Sequence, residues 1–69
     1  METLELRLQR LIDSAIAAGC EHALEEDHER IEEAARSYAM ERANHIRAMG
    51  EEAESAMNVW AAELGMEQI

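Results

Sequence analysis

Apolar residues recur along the first third of the chain at spacings of three and four. The stripe comprises Leu4, Leu8, Leu11, Ala15 and Ala18, widened by Ile12 and Ile16. Such spacing marks one face of an amphipathic helix, because an α-helix has about 3.6 residues per turn. Thr3 stands before the stripe, where an N-cap residue is expected. Since Ala23 and Leu24 extend the stripe past Gly19, the pattern predicts a first helix over about residues 3–25.

A second stripe follows the polar run Glu26-Asp27-His28, which offers a tight turn and a helix cap at Asp27. Its members are Ile31, Ala34, Ala35, Tyr38, Ala39, Ala43, Ile46 and Met49. They predict a second helix over about residues 28–49. Because both stripes contain many small residues, the two helices can approach closely. The two equal lengths therefore favour an antiparallel helical hairpin.

The last third of the chain carries apolar residues on two faces. Ala53, Met57, Trp60 and Leu64 continue the preceding stripe, so Gly50 is consistent with a bend, a loop or an unbroken helix. A further helix over about residues 51–65, ended by Gly65, is predicted. Val59, Ala62, Met66 and Ile69 form a second row on the other face. A helix that is apolar on two sides must be covered on two sides, which favours a homodimer or a bound partner.

Strand signals are missing, because the few β-branched residues do not alternate with polar ones. The fold class predicted for residues 1–69 is therefore a single all-α domain. We expect a helical hairpin with a C-terminal extension or third short helix, assembled into a helical-bundle homodimer. Cys20 is the one cysteine and fits a reducing compartment. With neither a signal peptide nor a membrane span in view, a cytoplasmic protein is expected.

The arrangement of helix, acidic turn and helix over residues 4–49 resembles the plasmid copy-number regulator family, whose small antiparallel hairpins dimerise into four-helix bundles. The resemblance implies the same architecture. Members of that family bind RNA through a face with basic residues. The outer faces here are acidic, so the resemblance does not imply RNA binding for this chain.

Sixteen acidic residues stand against six arginines and no lysine, which gives a net charge of −10. Such a chain is repelled by nucleic-acid phosphates and anionic lipid, and attracted to basic protein surfaces. Six acids crowd into nine positions: Glu25, Glu26, Asp27, Glu29, Glu32 and Glu33. They are a solvated helix face or an acidic surface that binds a partner. An apolar partner-binding surface is predicted from Met57, Val59, Trp60, Leu64, Met66 and Ile69.

The sequence gives little support for a metal site or for a catalytic site. Glu25-x-x-His28 has the spacing used by carboxylate-bridged di-iron bundles, but such sites need two of these motifs. His22, Glu25 and His28 are therefore only weak candidate ligands, and we expect neither a metal nor a cofactor. Cys20 and His22 lie on different helical faces, so they cannot form a nucleophile–base pair. No phosphate-binding loop is present, and an enzyme is not expected.

These features predict a small acidic binding protein without enzymatic activity. We expect a regulator or inhibitor of the phage or mobile-element kind that docks on a larger cellular protein and sequesters it. The partner surface would be basic, or mixed basic and apolar, and neither direct nucleic-acid binding nor membrane binding is expected. One alternative is a nucleic-acid mimic whose acidic face blocks a basic DNA- or RNA-binding groove. A second alternative is an oligomeric helical protein that binds metal through carboxylates and histidines.

Overall fold

The computed structural model describes residues 3–21 and 23–66, and within them the chain is all-helical without strands. This confirms the predicted fold class at the level of all-α. The helices are α1 (Leu4–Cys20), α2 (His28–Arg47) and α3 (Ala53–Glu63). Single turns of 3₁₀ helix, Glu25–Asp27 and Gly50–Glu52, precede α2 and α3.

Helix α1 begins where the sequence predicted and ends earlier. The Thr3 hydroxyl accepts a hydrogen bond from the Leu6 N–H at 3.2 Å, so Thr3 is the N-cap. The predicted end near Glu25 was wrong, because the helix stops at Cys20. Leu24 adopts an extended backbone and its side chain is 70% exposed. A further turn that buries so little apolar surface gains no tertiary packing to stabilise it.

Helices α1 and α2 contact each other at both ends. Near the start of α1, the Arg47 Nε donates to both carboxylate oxygens of Glu5 at 2.8 and 2.9 Å. Near the end of α1, Gly19 faces Ala35 so closely that a Cβ atom on Gly19 would lie 2.8 Å from the Ala35 Cβ. The first turn of α1 thus lies beside the last turn of α2. Gly19 is a helical residue that permits close packing and does not break α1.

All three helices contribute to the core. Its buried members are Leu8, Leu11, Ile12, Ala15, Ala39, Ala43, Ile46, Ala53, Met57 and Trp60. Only part of the predicted α2 stripe belongs to it. Tyr38 is 58% exposed and Ile31 is half-buried. The first half of α2 therefore has an apolar side that the core leaves partly open.

Two glycines with a left-handed backbone end the later helices. Gly50 has φ +65° and separates α2 from α3, which decides between the break and the continuous helix that the sequence left open. Gly65 has φ +73° and ends α3. There the Met66 N–H bonds to the Ala61 carbonyl at 2.9 Å and the Gly65 N–H to the Ala62 carbonyl at 3.1 Å. This pair of bonds is a Schellman motif.

Across the described part of the chain, every helix is too short or too polar to span a bilayer.

Substituting Gly19 by alanine tests the close packing of α1 on α2. Alanine adds up to about 1 kcal/mol of helix propensity, but overpacking against Ala35 costs about 1–3 kcal/mol. We therefore expect Gly19→Ala to lower the free energy of unfolding by about 1 kcal/mol, measured by urea denaturation.

The matched experiment repeats the substitution in the Ala35→Gly background, where the opposing Cβ is gone. In that background Gly19→Ala should stabilise the fold by up to about 1 kcal/mol, because the overpacking is gone and only the higher helix propensity of alanine remains. An equal effect of Gly19→Ala in both backgrounds would show that the two positions are not in contact.

Candidate docking groove

The seam between α1 and α2 is longer than the helix that covers it. At about 1.5 Å per residue, α2 is about 30 Å long and α3 only about 16 Å. The start of α3 is held by Arg7, which pairs with Glu54 at 4.0 Å and donates to the Asn58 side-chain oxygen in the middle of the helix at 3.0 Å. The other end is fixed where Arg42 contacts Glu63. Part of the seam therefore extends beyond the end of α3.

An open groove of about 490 Å³ occupies this uncovered part of the seam. Only the last turn of α3 reaches it, so the groove lies beyond the C-terminal end of that helix. Its lining residues are Ala15 and Gly19 of α1, Ile31, Ala34, Ala35, Tyr38 and Arg42 of α2, and Trp60, Glu63 and Leu64 near the end of α3. Small residues form much of the lining, and larger apolar side chains stand along it.

Arg42 forms the polar wall at the α3 end of the groove. Its guanidinium donates to both carboxylate oxygens of Glu63, with the Nη1–Oε1 pair at 3.3 Å, and to the Tyr38 hydroxyl at 3.2 Å. It also lies 5.1 Å from the centre of the Trp60 ring, within cation–π range. These contacts connect α2 to α3 and hold Trp60 against the core.

The Arg42–Glu63 contact changes the proton affinity of both groups. The hydrogen bond from Arg42 lowers the pKa of the Glu63 carboxyl, and the attraction between the charges acts in the same direction. The hydrogen bond to Glu63 is also the main cause that raises the pKa of Arg42. At this end of the groove, negative charge is therefore matched by a positive charge within the chain.

The opposite end of the groove is acidic. The segment from residue 21 to residue 27 connects the ends of α1 and α2 that line the groove, and Glu21, Glu25 and Glu26 in it are exposed. Within the described residues, Glu25 and Glu26 have no ion pair, whereas Asp27 accepts a hydrogen bond from Arg30 at 2.9 Å. The last turn of α1 contains no basic residue. The excess negative charge at this end therefore comes from the carboxylates, because the dipole ends of α1 and α2 that meet here have opposite signs.

The residues of the predicted apolar surface do not lie on one surface in the structure. Met57 and Trp60 are only 2% and 1% exposed and pack in the core of the single chain, because the seam between α1 and α2 covers that side of α3. Leu64 is half-buried and lines the groove. Val59 is 58% exposed and lies apart from it. Ile69 lies outside the described residues.

Met66, the remaining described member of that surface, packs against the core after Gly65. The Schellman motif turns the chain there, so Met66 does not continue the helical row of Val59 and Ala62 that the sequence predicted.

The predicted acidic face is exposed but partly neutralised. Asp27 and Glu32 are half-buried and pair with Arg30 and Arg36, at 2.9 and 3.4 Å. The other four acids, Glu25, Glu26, Glu29 and Glu33, are exposed. Within the described residues these four have no ion pair, so they form the unneutralised part of the face.

The weak metal candidates do not converge in the described part of the chain. Glu25 lies in the 3₁₀ turn and His28 is the first residue of α2, with its Nδ1 3.9 Å from a Glu32 oxygen. Among the described residues, no group of three His, Cys, Asp or Glu side chains is placed to hold an ion. His22 lies outside those residues. The absence of a metal site therefore stays a prediction.

The five groove residues of α2 were not predicted as a binding site: Ile31, Ala34, Ala35, Tyr38 and Arg42. The sequence assigned the four apolar ones to the core stripe of α2. A signal was present in the width of that stripe, because Ile31, Ala34 and Tyr38 lie to one side of the row Ala35, Ala39 and Ala43. One neighbouring helix cannot cover both rows.

A pH titration of Glu63→Gln tests the contact that closes the groove. Because the pKa of Glu63 is lowered in the folded chain, its contribution to stability is fully present above the ordinary glutamate pKa of about 4.3. It is lost as pH falls through the lowered value. We expect the variant to be less stable than the wild type at pH 7, with a gap that narrows below about pH 4, measured by urea denaturation. The control is Glu51→Gln, which removes an exposed carboxylate near the other end of α3. Its free energy of unfolding at pH 7 should differ less from that of the wild type. A Glu63→Gln gap that stays constant on acidification would contradict the assignment.

A scan against known protein-family models, a search of curated proteins and a search of solved structures each found no match to this chain.

Proposed function

We propose that this chain is a small non-enzymatic binding protein that docks on a larger cellular protein and sequesters it. The observation that carries the proposal is the groove beyond the end of α3, which no described part of the chain covers. A volume of about 490 Å³ with a mostly apolar lining is suited to side chains from a partner. A regulator or inhibitor of the phage or mobile-element kind remains the proposed biological context.

The charge of the chain supports a basic partner. Within the described residues, ion pairs join arginines to acidic neighbours: Arg7 to Glu54, Arg30 to Asp27, Arg36 to Glu32, Arg42 to Glu63 and Arg47 to Glu5. Acidic residues outnumber basic ones by ten, so most carboxylates remain available. Complementary charge speeds association and disfavours acidic partners. The proposed partner surface is therefore basic around an apolar centre.

The docking surface proposed here differs from the apolar set predicted from the sequence. Met57 and Trp60 support the groove from the core, and Leu64 is the predicted residue that is half-open to it. Tyr38, which is 58% exposed, adds a large apolar side chain. The centre of the proposed surface is therefore Ile31, Ala34, Tyr38 and Leu64, with the acidic connector at one end.

A nucleic-acid mimic is the second candidate function. It is favoured by Glu25, Glu26, Glu29 and Glu33, which are exposed and unpaired among the described residues. Glu29 and Glu33 are separated by about 6 Å along the axis of α2. A mimic would block a basic DNA- or RNA-binding groove through these carboxylates, and would not need the apolar groove.

The predicted homodimer is proposed on a separate surface. Val59 and Ala62 are exposed on α3, away from the groove. Burying this pair between two copies would remove exposed apolar surface from water. The surface is narrow, and two chains of net charge −10 repel each other. We therefore propose a weak dimer that leaves the groove free.

Capture of a partner from a lysate of the source cell separates the two candidate functions. In the wild type, we expect a defined protein to be retained. Ala34 is exposed in the groove, so Ala34→Gln fills the groove without disturbing the core. It should reduce capture about tenfold, because a blocked apolar pocket removes the centre of the interface. Ala17→Gln, at an exposed position of α1 outside the groove, is the matched control and should have no effect.

The mimic predicts the opposite pattern. Glu29→Gln with Glu33→Gln would then abolish capture of a nucleic-acid-binding protein, and Ala34→Gln would not. Equal capture by the wild type and all of these variants would contradict both candidate functions.

Sedimentation of the purified protein tests the proposed dimer. Because like charges repel, we expect raised salt to strengthen self-association by screening, whereas salt should weaken capture of a basic partner. Val59→Gln should weaken the dimer about tenfold, and Ala34→Gln should not change it. If the protein stays monomeric at about 1 mM in high salt, its self-association is too weak to form a dimer in a cell. That result would overturn this part of the proposal.

A further inference from the structure

We infer that the groove binds an amphipathic α-helix of the partner, with small and medium apolar side chains along one stripe and Arg or Lys at the end nearest residues 21–27. This inference rests on the proposed function and specifies what the partner inserts. It follows from the shape of the groove, from its backbone surroundings and from the distribution of charge at its two ends.

The lining of the groove suits a helix. Ala15, Gly19, Ala34 and Ala35 are small, so a helix axis can approach the seam closely. Helix α3 packs on the other part of the same seam, so the seam already accepts a helix of this chain. The groove residues of α2 run from Ile31 to Arg42, which is about 16 Å along the helix axis. This length corresponds to about eleven residues, or three helical turns.

The backbone around the groove favours a helix over an extended segment. An extended peptide gains affinity mainly by adding a strand to an open sheet edge. The groove is walled by α1, α2 and α3, and the described residues contain no strand that could supply such an edge. A helix satisfies its backbone hydrogen bonds internally and can bury a stripe at positions i, i+3, i+4 and i+7.

The two ends of the groove differ in charge, which orients the occupant. At the α3 end, Glu63 is matched by Arg42, so no excess charge remains to attract a cation. At the connector end, Glu25 and Glu26 are exposed and unpaired among the described residues. The negative end of the α1 dipole is offset there by the positive end of the α2 dipole, so the excess negative charge comes from the carboxylates. A basic side chain therefore gains most at the connector end.

Synthetic peptides test the inference without knowledge of the natural partner. The probe is a helical peptide of about 14 residues, or four turns, with Leu and Ala along one stripe and Arg at one end and on the polar face. A matched peptide has Glu in place of Arg, and a third has the same composition as the probe in scrambled order. Trp60 is the chain's one tryptophan and lines the groove, so its fluorescence reports occupancy. Calorimetry measures the affinity.

Only the Arg peptide should saturate the Trp60 signal, at one peptide per chain. Ala34→Gln should weaken its binding about tenfold relative to Ala17→Gln. The pair Glu25→Gln and Glu26→Gln should weaken binding about threefold to tenfold. The matched control is the other adjacent acidic pair, Glu51→Gln and Glu52→Gln, in the 3₁₀ turn at the far end of the bundle, which should have little effect.

Three results would overturn the inference: equal binding of the Glu peptide or the scrambled peptide, equal effects of the two acidic-pair variants, or no binding of the Arg peptide. If the Arg peptide does not bind but capture from the lysate still depends on Ala34, the helical occupant is wrong and the proposed function stands. If the peptide binds as expected but no protein is captured, the helix-binding groove stands and the proposed function fails.

Discussion

The close approach of α1 and α2 at Gly19 and Ala35 is the constraint on which the rest of the structure depends. A Cβ on Gly19 would lie 2.8 Å from that of Ala35, so only glycine fits without a shift of one helix. Ala39 and Ala43 continue the small side of α2 and are fully buried. Helices held this close leave a shallow seam. A shallow seam can be covered by one further helix, and α3 supplies that cover for only part of its length.

Arg42 is the residue at which the core ends and the groove begins. Its guanidinium contacts Glu63 and Tyr38 and lies over the Trp60 ring. The side chain of Arg42 is 24% exposed and that of Glu63 is 53% exposed, so solvent screens this ion pair. Its main effect is therefore geometric: it fixes the end of α3 on α2 and holds a polar boundary beside an apolar surface. The position of this boundary sets where the covered part of the seam stops.

Much of the fold could be predicted from local sequence patterns. Helical periodicity located all three helices, and Thr3 and Gly65 marked a start and an end correctly. The end of α1 was missed because Ala23 and Leu24 continue the apolar spacing, while burial of Leu24 depends on a neighbour that the described structure does not provide. Gly50 could not be decided from the sequence, since a stripe in phase on both sides fits either a break or a continuous helix.

The site was harder to predict than the fold because periodicity does not tell which member of a stripe is covered. Met57 and Tyr38 both belong to apolar stripes, yet one is 2% and the other 58% exposed. The difference arises from the length of α3, which is long enough to bury Met57 and Trp60 but not to reach Tyr38. Gly65 marks the end of α3 in the sequence, but the place of α3 along the seam does not follow from it, so exposure could be assigned only after the three helices were placed together.

The short length of α3 limits the core and also leaves open the proposed binding surface. A chain of 69 residues buries a small share of its surface, and its stability is correspondingly marginal. A longer α3 would bury Tyr38, Ile31 and Ala34 and add to that stability, but it would fill the groove. A partner helix in the groove would supply the missing cover from outside. Binding would then stabilise the folded chain by about 2.7 kcal/mol at a partner concentration one hundred times the dissociation constant. Such a gain is a large fraction of the stability of a small domain, so stability and the proposed partner binding depend on the same uncovered seam.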